Sequence, residues 1–278
     1  MKSLQSINGL SELPPHYRVI LLDQFGTMHD GQTPYPKAAE ALRLYRQNGG
    51  KVIVLSNSAK TGQHNRARLG KFGFNAEHFD AVVTSGDATQ DAIRQGTAGD
   101  SFKRGASVHI SGKVGDDYGF DPFGFTIVRA DHADGIILAA SQEPDRDWRA
   151  QVQELSAAAR RGVEILVCNP DFEMLTPQGI RPSAGAVGRE LAKLGAKVRF
   201  FGKPHPDIYQ TALRVAGNPS LETVIAIGDS PEHDLLGAHQ MGLAGVLVRG
   251  GILSASNEAE MIARLPSGEW YGLQALAW

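Results

Sequence analysis

The stretch Val19-Ile20-Leu21-Leu22-Asp23-Gln24-Phe25-Gly26-Thr27 decides the fold of this chain. Four consecutive aliphatic residues end in an acid, and a glycine follows three residues after that acid. A run that is apolar at every position predicts a strand covered on both faces, which is typical of a parallel sheet. Because ligands bind beyond the carboxyl ends of such strands, Asp23 becomes the first candidate site residue.

The same pattern, an apolar run followed by polar residues or glycine, recurs along the chain. It returns at Val52–Leu55 before Ser56, Ala81–Val83 before Thr84, Val198–Phe201 before Gly202 and Lys203, Val224–Ile227 before Gly228 and Asp229, and Gly245–Val248 before Arg249. A helix is predicted over about residues 36–47, since Pro36 suits a first helical turn. Strands that alternate with helices predict an α/β fold with a Rossmann-like parallel core.

The middle of the chain has its own apolar runs. They are Val108–Ile110, Gly135–Leu138 and Val163–Val167, and a helix is predicted over about residues 145–160. We therefore predict a second α/β domain, residues 86–197, inserted into a core formed by residues 1–85 and 198–278.

The composition argues against several classes of protein. Lys and Arg number 28 against 30 Asp and Glu, which gives a net charge of −2 and no basic field for nucleic acid or an anionic membrane. The single cysteine excludes an internal disulfide and a cysteine-rich metal site. The first residues lack the apolar stretch of a secretory signal, and no apolar run approaches the roughly 18 residues of a membrane span. We therefore expect a cytoplasmic protein with neither a nucleic-acid nor a membrane partner.

The polar residues that follow the predicted strands form a coherent chemical set. It contains Asp23, the run Ser56-Asn57-Ser58, Lys203, Asp229 and, five residues later, Asp234. Three carboxylates brought together repel one another unless a cation joins them, and an oxygen-rich set suits Mg²⁺. Hydroxyl, amide and ammonium groups beside a metal make an anion pocket. A metal beside an anion pocket is suited to phosphate.

Four segments resemble, in their order along the chain, motifs I to IV of the haloacid dehalogenase-like hydrolase superfamily. They are Asp23–Thr27, Leu55–Asn57, Gly202–Pro206 and Gly228–Asp234. In addition, Asn169-Pro170-Asp171 followed by Pro182–Ala186 resembles the cap of the class IIA branch, which includes nitrophenylphosphatases and phosphoglycolate phosphatases. The resemblance implies a Rossmann-like core with an inserted C2-type α/β cap that selects the leaving group.

The resemblance also implies roles for individual residues. Asp23 would be the nucleophile, forming an aspartyl-phosphate that water then hydrolyses. The catalytic and phosphate-binding set would be Asp23, Ser56, Asn57, Ser58 and Lys203. The cap would add two substrate contacts, Asn169 and Asp171. The Mg²⁺ ligands would be Asp23, the backbone carbonyl of Phe25, Asp229 and Asp234, the last of which would orient metal-bound waters or Lys203. The implied activity is that of a phosphatase for a small phosphorylated, sugar phosphate-like metabolite, and caps of this class often form homodimers.

Phe25 departs from the family pattern. Phosphatases of the superfamily usually carry a second Asp here, which protonates the leaving alcohol and then activates water. Three interpretations stay open. Another group, such as His29, Asp30 or a cap residue, replaces the second Asp, or the substrate has a good leaving group that needs no acid. Alternatively, the chain releases a non-phosphate group, as haloacid dehalogenases release halide. For His29 we favour a structural hydrogen bond and for Asp30 a turn. A non-catalytic phospho-ligand-binding protein is a further alternative, and the sequence names neither substrate nor pathway.

Overall fold

The computed structural model describes residues 2–141, 147–176, 179–250 and 257–278. The chain divides into two compact units. The first consists of Met1–Ser56, Gly62–Val83 and Lys203–Trp278, and the second of Asn57–Thr61 and Thr84–Gly202.

The described residues form fourteen strands and eight α-helices. The strands are β1 (Lys2–Ile7), β2 (Val19–Asp23), β3 (Lys51–Ser56), β4 (Ala81–Thr84), β5 (Ser107–Ser111), β6 (Thr126–Ile127), β7 (Gly135–Leu138), β8 (Glu164–Val167), β9 (Glu173–Thr176), β10 (Gly179–Pro182), β11 (Lys197–Phe200), β12 (Val224–Gly228), β13 (Ala244–Val248) and β14 (Gly268–Leu273). The helices are α1 (Ala38–Gln47), α2 (Gly62–Lys71), α3 (Ser85–Arg94), α4 (Trp148–Arg160), α5 (Ala184–Lys193), α6 (Pro206–Val215), α7 (Leu236–Gln240) and α8 (Glu258–Arg264).

A seven-stranded sheet carries the first unit, in the order β1-β14-β13-β12-β2-β3-β4. The pairings from β1 across to β3 are all parallel. All five residues of β2 are buried, because the strand lies in the middle of the sheet and both of its faces are covered. This architecture confirms the predicted α/β fold with a parallel, Rossmann-like core.

The register of the central strands places three polar positions at one edge of this sheet. Leu22 of β2 is level with Ile227 of β12, and Asp23 is level with Leu55 of β3. The next residues along these neighbouring strands are therefore Gly228, which precedes Asp229, and Ser56. Parallel strands bring their carboxyl ends to the same edge, so the predicted site residues of the core follow directly from the strand pairing.

The second unit contains a five-stranded parallel sheet, in the order β11-β8-β7-β5-β6, and a β9–β10 hairpin. The sequence predicts that residues from 198 onward belong to the core, whereas β11 pairs with β8 in this second sheet. An apolar run predicts a buried strand but does not indicate which of the two sheets the strand joins. The second unit ends at Gly202, and the first unit resumes at Lys203. The predicted domain limits themselves stay a prediction.

Helix α4 begins at Trp148 after Asp147, whose side chain accepts a hydrogen bond from the backbone N–H of Arg149. An acid at this position caps the exposed N–H groups of a helix start. Residues 145 and 146, where the predicted helix was to begin, lie outside the described residues. Within the part of the chain that the structure describes, no helix is long and apolar enough to cross a membrane.

Candidate active site

Four charged side chains of the first unit converge at the carboxyl edge of its sheet. Asp23 ends β2, Asp229 follows β12, Asp234 lies in a π-helical turn (Pro231–Leu235) and Lys203 begins the segment before α6. Each residue is at most 7% exposed. One carboxylate oxygen from each of the three acids lies within 4.8 Å of the others. Because buried charges persist where they are paired or bind a metal, this cluster is the candidate active site.

Lys203 connects two of the three carboxylates. Its Nζ donates hydrogen bonds to Oδ1 of Asp23 and, at 2.7 Å, to Oδ1 of Asp234. The backbone N–H of Ser230 donates to the other oxygen of Asp234 at 3.1 Å. Both oxygens of Asp234 are therefore engaged, and this residue is placed to orient the Lys203 ammonium.

The cluster holds more negative than positive charge. Burial raises the pKa of Asp23 well above its usual value; Lys203 opposes this rise, and the Asp234 and Asp229 charges add to it. Burial disfavours the charged form of Lys203, but the Asp23 and Asp234 carboxylates raise its pKa well above the usual value, so it remains an ammonium. Three acids beside one ammonium give the cluster an excess of negative charge, which a bound cation would neutralise.

Two glycines make room for the carboxylates. Gly26 has a φ of +86°, and a Cβ built there would overlap the carboxylate of Asp229. A Cβ at Gly228 would likewise overlap the carboxylate of Asp234. Glycine is needed at position 26 both for its left-handed backbone and for the close approach of the acid.

The second unit brings together three of its predicted site residues. Nδ2 of Asn57 donates to Oδ1 of Asp171 at 2.7 Å. The backbone N–H of Asp171 in turn donates to Oδ1 of Asn169 at 3.0 Å. Ser58 accepts a hydrogen bond on Oγ from the backbone N–H of Lys60 at 3.2 Å. The Asn57 amide is thus oriented by a carboxylate, a link that the sequence analysis did not foresee.

Phe25 lies on the loop two residues beyond Asp23, and the residue is 46% exposed. The ring centroid lies 6.1 Å from that of His29, edge to face. A Cβ built at Gly31 would come within 2.9 Å of the Phe25 ring. The loop therefore holds the ring in place on one side and leaves the other side open.

His29 is fully buried and is part of the structure of this loop. Its Nδ1 accepts a hydrogen bond from the backbone N–H of Gly31 at 2.9 Å. The neutral ring then carries its proton on Nε2, 3.2 Å from Nε2 of Gln24, while Oε1 of Gln24 is buried without a partner. The other orientation of this carboxamide, with oxygen and nitrogen exchanged, would place Oε1 where it accepts from the ring. The ring stacks on Phe72, with centroids 4.4 Å apart. Burial lowers the pKa of His29 to about 4, so it is neutral at physiological pH.

Two further residues at the end of β2 were not predicted, Thr27, which contacts Asp23, and Gln24, which contacts His29. Oγ1 of Thr27 donates to Oδ2 of Asp23 at 3.1 Å, and Gln24 contacts His29 on the other side of the strand end. Strand alternation could have indicated that Gln24 faces away from Asp23. The contact of Thr27 depends on the fold of the loop, for which the sequence carries no periodic signal.

The depressed pKa of His29 predicts a loss of stability in acid. An unfolded histidine takes up a proton near pH 6.5, whereas the folded one resists protonation down to about pH 4. The unfolded state therefore binds more protons in this window, and the free energy of unfolding falls as the pH drops from 6.5 to 4, by at most about 3 kcal/mol. We expect His29→Asn, whose side chain still accepts from Gly31, to lose this part of the pH dependence.

Urea unfolding at pH 7 and pH 4.5 measures this effect. His16→Asn is the matched control, because His16 is exposed, and it should keep the wild-type pH dependence. The assignment is wrong if His29→Asn and the wild type lose equal stability between the two pH values.

Two family profiles match the chain. Residues 20–126 match the family described as haloacid dehalogenase-like hydrolase, and residues 200–266 match one described as HAD-hydrolase-like. Acid sugar phosphatases of Staphylococcus epidermidis and Staphylococcus aureus are 26% identical to the chain, over 85% of its length and 88% of theirs.

Solved structures share the whole fold. A hydrolase of the haloacid dehalogenase-like family from Brucella suis 1330 is 26% identical, with a TM-score of 0.80 over 98% of this chain and 100% of the other. A p-nitrophenyl phosphatase from Archaeoglobus fulgidus, 24% identical, has a TM-score of 0.75 over 94% and 97% of the two chains. These similarities agree with the fold class that the sequence predicted.

Proposed function

We propose that this chain, which belongs to the haloacid dehalogenase-like hydrolases, is a Mg²⁺-dependent phosphatase of a small phosphorylated metabolite. The observation that carries the proposal is the buried Asp23–Lys203–Asp234 network beside Asp229. The names of the acid sugar phosphatases and the p-nitrophenyl phosphatase among its relatives support the same chemistry and place both sugar phosphates and aryl phosphates among the compounds to test.

The donor set fits a hard divalent cation. All three acids offer oxygen, which Mg²⁺ prefers, and their mutual repulsion favours a positive ion among them. We propose Asp23, Asp229 and the backbone carbonyl of Phe25 as its ligands. Asp234 would orient metal-bound waters or Lys203, in keeping with its two engaged oxygens. When bound, the ion supplies positive charge that lets a phosphate dianion approach the carboxylate of Asp23.

Asp23 is the proposed nucleophile, and the neighbouring groups prepare it for that role. Thr27 and Lys203 each donate to one of its two oxygens, which fixes the direction of the carboxylate. Attack on phosphorus forms an aspartyl-phosphate and releases the leaving group, and water then frees inorganic phosphate. The Lys203 ammonium would offset the negative charge that develops on the transferred group.

The remaining predicted site residues would bind the substrate. Ser56, Asn57 and Ser58 are the proposed phosphate ligands, and Asn169 and Asp171 the proposed substrate contacts of the second unit. The hydrogen bond from Asn57 to Asp171 supports a role for Asp171 in orienting the amide. A cytoplasmic homodimer stays a prediction.

Release of phosphate from para-nitrophenyl phosphate tests the proposal. Nitrophenolate departs without a proton, so the phenyl ring at position 25 should not block this reaction. We expect phosphate release with Mg²⁺, a decrease of about 100-fold or more with a chelator, and recovery when Mg²⁺ is restored.

Failure to release phosphate from this compound and from a panel of phosphorylated metabolites would contradict a phosphatase. Halide release from 2-haloacids would then favour a dehalogenase-like reaction. Phe25 in place of an acid is consistent with that reaction, whereas the paired Asp229 and Asp234 argue against it. Thermal stabilisation by phosphorylated metabolites without turnover would favour a binding protein.

A further inference from the structure

Protonation of the leaving group needs a proton donor, and the loop after Asp23 is where one would be expected, because the phosphatases that this chain resembles carry an acid at the position of Phe25. An alkoxide is a poor leaving group because its conjugate acid, an alcohol, is very weak, and a positioned acid typically raises the rate by about 10²–10⁴-fold. Three side chains of the loop after Asp23 are candidates for this role, namely Phe25, His29 and Asp30.

Phe25 lies two residues beyond Asp23, and its ring has no proton to give. The ring cannot fold into the loop, because His29 and Gly31 already fill that side. Gly31 has a φ of +95°, and a side chain there would displace the ring. Phe25 nevertheless remains 46% exposed, so an apolar residue faces solvent two positions beyond the nucleophile.

The imidazole of His29 is held within the loop by packing and hydrogen bonds. Its ring is fully buried between Phe72 and Phe25. One nitrogen accepts from the backbone of Gly31, and the other faces Gln24. The imidazole therefore has no nitrogen directed at solvent or at a substrate.

The carboxylate of Asp30 is held by hydrogen bonds within a turn. Its Oδ1 accepts from the backbone N–H groups of Gln32 at 2.8 Å and Thr33 at 2.7 Å, and its Oδ2 accepts from the Thr33 hydroxyl at 3.0 Å. Three donors stabilise the carboxylate over the carboxylic acid. Asp30 thus closes a turn as an anion and has no proton to donate near neutral pH.

We propose that this site cleaves phosphorylated compounds whose leaving groups depart as stable anions, namely acyl, enol and aryl phosphates. The inference rests on the proposed phosphatase function and narrows its substrate class. Simple alkyl phosphates, including sugar phosphates esterified at an ordinary alcohol, are turned over slowly by the same site.

The bonds and charges balance without an acid. An oxygen of the Asp23 carboxylate forms a bond to phosphorus while the bond from phosphorus to the leaving oxygen breaks. The leaving group keeps the electron pair and departs as a carboxylate, enolate or phenolate, which equilibrates with solvent protons. Water then attacks the aspartyl-phosphate, and inorganic phosphate, the Asp23 carboxylate and one proton are released.

The dependence of kcat/KM on the pKa of the leaving group tests this inference. A series with Mg²⁺ would run from acetyl phosphate through substituted phenyl phosphates to glycerol and glucose phosphates. We expect kcat/KM to fall by at least about 10³-fold from nitrophenyl phosphate to the alkyl phosphates. Alkyl phosphates hydrolysed within tenfold of nitrophenyl phosphate would overturn the inference while leaving the phosphatase proposal intact. Absence of phosphate release across the series would overturn both.

Substitution of Phe25 provides the matched comparison. Phe25→Asp introduces a proton donor. Phe25→Asn introduces a side chain of nearly the same volume as aspartate but without an acidic proton. We expect only the aspartate variant to raise kcat/KM for alkyl phosphates, by about 10-fold or more relative to nitrophenyl phosphate, with the gain lost as the pH rises and the new acid ionises. Equal effects of the two variants would contradict the inference.

Two further variants test whether an acid has been overlooked. Asp30→Asn removes the carboxylate of the turn, and Tyr35→Phe removes a partly buried phenol at the end of the same loop. We expect both variants to keep the wild-type dependence on leaving-group pKa. A selective loss of alkyl phosphate hydrolysis in either would identify that residue as the donor and overturn the inference.

Discussion

Asparagine in place of Asp23 is expected to lower the rate of phosphate release by about 10⁴-fold or more. The carboxamide has nearly the shape of the carboxylate and can still accept a hydrogen bond from Thr27 or Lys203. It carries no negative charge and is a poor nucleophile towards phosphorus, so the covalent step is lost. The loss should appear with nitrophenyl phosphate as well as with slower substrates, because it concerns the attacking group and not the leaving group.

The same substitution should stabilise the metal-free protein. Burial and the neighbouring charges of Asp234 and Asp229 raise the pKa of Asp23 despite the opposing effect of Lys203, so ionisation of Asp23 is less favourable in the folded state than in the unfolded state. A carboxyl with a raised folded pKa costs stability as the pH rises above its unfolded value near 4. We therefore expect the melting temperature of Asp23→Asn without metal to exceed that of the wild type, by more at pH 8 than at pH 5.

Asp30→Asn is the control for both measurements. It makes the same chemical change seven residues away on the same loop, at an exposed acid. Its phosphate release should stay close to that of the wild type, and its melting temperature should not rise, because this substitution removes a carboxylate that three hydrogen bonds stabilise. Activity of Asp23→Asn within tenfold of the wild type would exclude Asp23 as the nucleophile.

The strand ends of the core could be predicted because each ends an apolar run. Asp23, Ser56 and Asp229 each follow such a run, and a parallel sheet necessarily brings these ends to one edge. Fold and candidate site therefore come from the same pattern of the sequence. Lys203 also follows an apolar run, but that run lies in the sheet of the second unit, so the reason given for its position was incomplete.

The contacts within loops could not be predicted. The hydrogen bonds of Asp234 to Lys203 and Ser230, of Asn57 to Asp171 and of His29 to Gly31 all join residues on irregular segments. No periodicity governs which way such side chains point, since each loop is fixed by its own turns and by glycines with special backbone angles. The sequence therefore indicates which polar side chains are present but not which of them are already held by hydrogen bonds within a loop. A side chain held in this way cannot protonate a leaving group, so these contacts limit the leaving groups that the site can release.

Methionine in place of Lys203 is expected to reduce phosphate release by about 10³-fold or more and also to destabilise the fold. Methionine keeps an unbranched chain of similar length but removes the charge that Asp23 and Asp234 share. Two acids that are at most 7% exposed then lose their ammonium partner. Breaking a buried ion pair from one side typically costs about 3–5 kcal/mol.

The pH dependence of this destabilisation has a definite sign. Lys203 opposes the rise in the pKa of Asp23 that burial causes. Without the ammonium, the folded protein resists ionisation of Asp23 still more strongly, and the pKa of Asp23 rises further above its unfolded value. The folded state then binds more protons than the unfolded state, and stability decreases as the pH increases. Urea unfolding without metal should therefore show a larger difference between Lys203→Met and the wild type at pH 8 than at pH 5.

The double variant Lys203→Met with Asp234→Asn separates the two roles of the lysine. Removal of one of the two stranded carboxylates should return part of the lost stability, because the two substitutions act on the same buried pair and their effects are not additive. It should return no activity, because the positive charge beside Asp23 is still missing. Recovery of both would mean that Lys203 serves the fold alone, whereas recovery of neither would mean that Lys203 and Asp234 are not energetically coupled, contrary to the hydrogen bond between them.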